Sequence, residues 1–120
     1  MTATTTKRSG RRLLFAGVVL VSLVVLFSPG SAVPPASLVS DKVVHFALFV
    51  ALAATGRLAG VRVVVLLGGL VVYAGASEVL QAVLPIERDG DVLDTIADVC
   101  GVVTGLALTM VRQRARQSKV

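Results

Sequence analysis

Residues 92–111 read VLDTIADVCGVVTGLALTMV, and the fold of the chain turns on what this stretch is. It is an apolar run of about the 20 residues that one helical membrane span needs, interrupted by two carboxylates, Asp94 and Asp98. Asp94, Asp98, Gly101 and Gly105 recur at spacings of four, three and four, so a helix presents them on one face. Gly101 and Gly105 form a G-x-x-x-G pair, which lets a second helix approach closely. That face therefore turns into a bundle and takes both carboxylates with it.

The rest of the chain fits a bundle of such helices. It has 120 residues, of which 55% are hydrophobic and 16% charged, with a mean hydropathy of +0.87. A soluble domain of this size has too much surface to hide so much apolar side chain, whereas lipid solvates the outside of a membrane bundle. A net charge of +5 raises the possibility of a nucleic-acid partner. The bases, however, stand in short blocks between apolar runs, which is the pattern of membrane topology. No nucleic-acid partner is expected. Cys100 is the single cysteine, so no intramolecular disulfide can form.

Residues 13–33 make a first span after the basic tail 1–12. The rival reading of this segment is a cleaved signal peptide, with small residues at Gly30 and Ala32; cleavage leaves the remaining topology unchanged. Pro29, Gly30, Pro34 and Pro35 make a loop. Ser40-Asp41 reads as an N-cap opening a second span over residues 41–60, which carries His45. A turn at residues 60–62 leads into a third span over residues 63–84, interrupted by Glu78 and Gln81. A charged loop at residues 85–91 precedes the fourth span over residues 92–111, and residues 112–120 form a basic tail. The expectation is an all-α integral membrane domain of four transmembrane helices over residues 13–111, flanked by cytoplasmic tails.

Orientation follows from charge. With the N-terminus inside, the inner segments hold Lys7, Arg8, Arg11, Arg12, Arg57, Arg62, Arg112, Arg114, Arg116 and Lys119, against only Lys42 and Arg88 outside. This is the bias of the positive-inside rule, and it places both termini in the cytoplasm of a multi-pass protein of the cell membrane. Every Asp and Glu falls in the outer half, and the single histidine joins them. At about 1.5 Å of rise per residue, His45 lies roughly 7 Å, and Glu78 and Asp98 roughly 10 Å, from the outer boundary. Asp41, Lys42, Arg88 and Asp91 lie near the interface, with Gln81 and Asp94 between. Three helices thus bring polar groups to similar depths. Asp41 and His45 are one turn apart on one face, and Glu78 and Gln81 are near neighbours, with Gly75 on the same side.

The candidate site is this polar pocket: Asp41, Lys42, His45, Glu78, Gln81, Arg88, Asp94 and Asp98. Each member also has a plain structural reading. Asp41 can be a helix cap, Lys42 and Arg88 ion-pair partners, His45 a hydrogen-bonded core residue, and Glu78 with Gln81 interhelical glue. Gly101 and Gly105 read as packing residues. Ionisable groups inside a membrane are costly, and that makes them functional candidates by default. No metal centre and no cofactor is expected. A divalent ion among His45, Glu78 and Asp98 is a weak alternative, because one histidine without an H-x-x-x-H spacing makes a poor ligand set.

Asp41-Lys42-x-x-His45-Phe46, then Glu78-x-x-Gln81, then Arg88, Asp94, Asp98, Gly101 and Gly105 resemble, in this order, the VanZ-like membrane protein family. Its prototype is associated with low-level resistance to the glycopeptide teicoplanin. The resemblance spans about residues 38–110. Where the family often has Asn, this chain has Asp98, which implies that hydrogen bonding rather than charge is the shared requirement there. The resemblance implies a role in the cell envelope.

Two functions suit the residues. In the first, the pocket binds a lipid-linked envelope precursor or an amphipathic, glycopeptide-like molecule. Arg88 would grip a phosphate or carboxylate, Lys42 would add a point charge, and the spans would receive the lipid tail. In the second, the protein is an enzyme acting on a lipid-linked substrate. Asp94 or Glu78 would then be the base, His45 an acid or base, and Arg88 an oxyanion stabiliser. Proton-coupled transport is disfavoured, because the inner halves of the spans lack polar groups to continue a path. The sequence leaves oligomeric state open.

Overall fold

The computed structural model describes residues 2–32 and 38–120. The protein is all-α: α1 (Thr2–Phe27), a single 3₁₀ turn (Gly30–Ala32), α2 (Leu38–Leu58), α3 (Val63–Val83) and α4 (Val92–Gln117). Of the expected loop, Pro34 and Pro35 lie outside the described residues. The helices run up and down, so the C-terminal ends of α1 and α3 meet the N-terminal ends of α2 and α4.

The boundaries of three helices differ from the sequence reading. α1 starts at Thr2 rather than 13 and stops at Phe27 rather than 33. An apolar helix already formed extends into neighbouring residues at little cost, because only nucleation is expensive. It stops early because Ser28 precedes Pro29, and a residue before proline is pushed out of the helical region. α4 runs on through the expected tail to Gln117, with Arg114 and Arg116 in its last turn, where positive charge complements the helix dipole. α2 begins at Leu38, so Asp41 sits in its first turn rather than capping it.

Between α2 and α3 the chain turns at Gly60, whose φ of +94° is a left-handed conformation natural to glycine at a helix end. The Arg57 guanidinium donates to the Val61 carbonyl at 2.8 Å, closing the turn.

α2 touches each of the other helices, and its largest contact is with α4. The core consists of Phe49, Leu52 and Ala53 of α2 with Leu26, Leu66, Leu70, Ala74, Val102 and Leu106. Gly101 and Gly105 lie flat against α2. A Cβ on Gly101 would stand 2.5 Å from the Phe46 carbonyl oxygen, and one on Gly105 would stand 2.6 Å from that of Val50. Ser22 and Tyr73 link α1 to α3 through their hydroxyls at 3.0 Å.

The polarity of the molecule is inverted relative to a water-soluble bundle. Val64 is 81% exposed and Leu13 and Val72 each 70%, while His45, Gln81, Asp94 and Asp98 are at most 4% exposed. In water such an apolar exterior drives association; in lipid it is the solvated surface. α1, α3 and α4 are long and apolar enough to cross a membrane, the signature of a membrane protein.

Candidate functional site

The polar residues gather where α2 and α4 begin. Asp91 caps α4, its carboxylate accepting from the Leu93 N–H at 2.9 Å. One turn in, Asp94 faces α2, and one turn further Asp98 is fully buried. Lys42 sits between the two outer carboxylates, its ammonium donating to Asp91 at 2.8 Å and to Asp94 at 3.0 Å. This ammonium, with the Leu93 N–H, holds the Asp91 carboxyl below its ordinary value.

Beneath Lys42, His45 Nδ1 meets Asp98 Oδ1 at 2.9 Å. With Asp98 ionised, its carboxylate can only accept, and the imidazole proton then sits on Nδ1. The other ring nitrogen, Nε2, then turns toward Asp94 Oδ2 at 3.8 Å, beyond hydrogen-bond reach. His45 is thus oriented by a buried carboxylate and offers an uncommitted nitrogen to a space shared with Asp94 and Asp41. One ligand atom from each of Asp41, His45 and Asp94 lies within 4.8 Å of the others. This trio, rather than His45, Glu78 and Asp98, has the geometry to hold a cation. The Lys42 ammonium already neutralises one oxygen of Asp94.

Glu78 approaches from α3. One carboxylate oxygen accepts the Asp91 N–H, and the other is buried without a partner among the described residues, as is Asp98 Oδ2. Asp41, Glu78, Asp91, Asp94 and Asp98 therefore crowd one end of the molecule, with Lys42 the cation set among them.

Gln81 and Arg88 have different work. The last carbonyls of a helix have no partner within it, and α1 ends inside the bundle. Gln81 donates to the Leu26 carbonyl at 2.7 Å. Arg88 donates to Ser28 at 2.8 Å and Val25 at 3.1 Å. The Gly30 N–H donates to the Ile86 carbonyl at 2.8 Å, so the segment after α1 is laced to the loop before α4. Arg88 is thus turned away from the acidic group toward α1. Sequence reasoning had no signal for this role, since the acceptors are backbone carbonyls that every residue carries. Asp91, by contrast, is readable as the capping carboxylate before an apolar run.

Of the eight pocket candidates, Asp41, Lys42, His45, Asp94 and Asp98 form one connected group. Glu78 touches it through Asp91, and Gln81 and Arg88 secure the neighbouring helix end. No protein-family model, curated protein or solved structure matches the chain.

Proposed function

We propose that this chain is a VanZ-like, four-span protein of the cell envelope whose acidic end binds the polar part of a lipid-linked or glycopeptide-like ligand. α2 supplies the remaining crossing, beside those of α1, α3 and α4. Its charged residues lie near its ends, at Asp41, Lys42 and Arg57, while its middle lies against the other three helices rather than lipid. The ten-to-two distribution of bases supports an orientation with both termini in the cytoplasm and the acidic end outside.

The observation that carries the binding reading is the orientation of His45. Asp98 holds its ring, and Nε2 faces Asp94 without a hydrogen-bond partner among the described residues, so a hydroxyl or amide of a ligand can bridge the two. Protein purified in mild detergent should retain an amphiphile with a sugar or peptide head, measurable by mass spectrometry. His45→Ala and Asp94→Asn should each reduce its occupancy about tenfold or more, the effect of losing a charge-assisted hydrogen bond. An unchanged complement of bound molecules in both variants overturns the reading. Arg88, spent on α1, should act on stability instead.

The His45–Asp98 pair also favours a second reading. A histidine oriented by a buried carboxylate is the arrangement of a general base, and Asp94 would help place the substrate. Turnover of a lipid-linked envelope substrate by pure protein, abolished by Asp94→Asn, would decide for an enzyme.

A further inference from the structure

At the end opposite the acidic group, the described residues include no Asp or Glu side chain, and the arginines converge. Arg11 of α1, Arg57 of α2, and Arg112 and Arg116 of α4 line one cavity of about 260 Å³. Arg112 and Arg116 are one turn apart and so share a helix face. None of the four has a carboxylate partner among the described residues, because the ion pairs all lie at the other end. Leu58 and Leu108 also line the cavity, so its polar wall is continuous with an apolar one.

Topology by itself asks for positive charge on one side of the membrane and not for its convergence. Arg12 and Arg114 serve that bias without lining the cavity. A second observation concerns Arg57. One of its terminal nitrogens is committed to the Val61 carbonyl at 2.8 Å, which fixes the guanidinium, while Nε is buried with no acceptor among the described residues. A buried donor without a partner is costly, and here it belongs to a residue lining a pocket whose charged walls are all cationic, with Thr109 and Gln113 as its neutral polar walls. An anion with several acceptor oxygens would supply that partner and match the neighbouring guanidiniums.

We propose that this cavity binds the phosphate of an anionic membrane phospholipid, with Arg57, Arg112 and Arg116 as its ligands and Leu58 and Leu108 against the start of the acyl chains. α1 and α4 carry the arginines just beyond their apolar runs, at the level where headgroups lie. Basic pockets between membrane helices select such headgroups, and the planar guanidinium matches phosphate oxygens in pairs. The site is independent of the acidic end and of any ligand bound there.

The test is native mass spectrometry of the full chain in mixtures of zwitterionic phosphatidylethanolamine with either phosphatidylglycerol or cardiolipin. Wild type should retain the anionic lipid in preference. The double variant Arg112→Gln/Arg116→Gln, whose side chains make no described structural bond, should lose about tenfold of that preference. The double variant Arg12→Gln/Arg114→Gln removes equal charge outside the cavity and should stay within about twofold of wild type. Arg57→Lys keeps the charge but loses the fork and should weaken retention. Equal losses in the two double variants, or no preference in wild type, overturn the site. Competition by inorganic phosphate without any lipid preference overturns the lipid and leaves free phosphate as the ligand.

Discussion

At the residue scale, the decisive fact is that the ionisable groups at the acidic end are tied to one another in a fixed order. Lys42 joins Asp91 to Asp94, and His45 joins Asp98 to the space beside Asp94. The Lys42 contact has a pH signature. Asp91 titrates below its ordinary 3.8 in the folded protein, so the folded state binds its proton less readily than the unfolded chain. Its contribution to stability is therefore fully present above about pH 5, since an unfolded carboxyl titrates near pH 4. It is lost as pH falls through the depressed folded value. Lys42→Met removes the main cause of the depression, so the acid limb of a Tm-against-pH curve should flatten relative to wild type. An identical acid limb in the variant would show that the contact does not hold in the membrane-solubilised protein.

At the scale of elements, the pairing of α2 with α4 sets the site, because Asp41, Lys42 and His45 come from one and Asp91, Asp94 and Asp98 from the other. The two helices approach closely through Gly101 and Gly105, where an added methyl would meet α2 backbone at 2.5 and 2.6 Å. Backbone cannot swing aside as a flexible side chain can. Gly101→Ala and Gly105→Ala should each cost about 1–3 kcal/mol by overpacking, read as a lower midpoint of unfolding in detergent. Gly75→Ala, with nothing within 4 Å of its added methyl, should stay within about 0.5 kcal/mol of wild type. The three substitutions together separate contact at a glycine from the mere presence of one in a span. α1 contributes differently: its C-terminal carbonyls are closed by Gln81 and Arg88, which anchors the first helix to the acidic end without adding to its charge.

For the whole molecule, the extents of 50 × 28 × 24 Å are those of a slender bundle long enough to cross a hydrocarbon core about 30 Å thick. Acidic groups occupy one end and arginines the other, with an apolar sleeve between. In the proposed arrangement α2 crosses as well, and four crossings with the N-terminus inside return the C-terminus to the same side. A fluorescent or phosphatase reporter fused after Val120 should therefore give the cytoplasmic readout. The opposite readout would mean that α2 does not cross, or that the molecule is inverted.

The sequence by itself determined the class of the molecule, because hydropathy, run length and base distribution are additive properties that need no contact to be read. It also determined which end is acidic, since helical rise converts position into depth, and it put Asp94, Asp98, Gly101 and Gly105 on one face by their spacing alone. The extents of α1 and α4 escaped it, because helix propagation carries polar residues past the apolar boundary. Only the tertiary structure decided how the polar groups are used. It committed Arg88 and Gln81 to α1's open carbonyls, set Lys42 between two carboxylates, and turned His45 with one nitrogen on Asp98 and the other toward Asp94. It also drew four arginines from three helices around one cavity. Those outcomes depend on which helix ends meet and in what rotation. Backbone acceptors and interhelical distances exist only once the helices have packed.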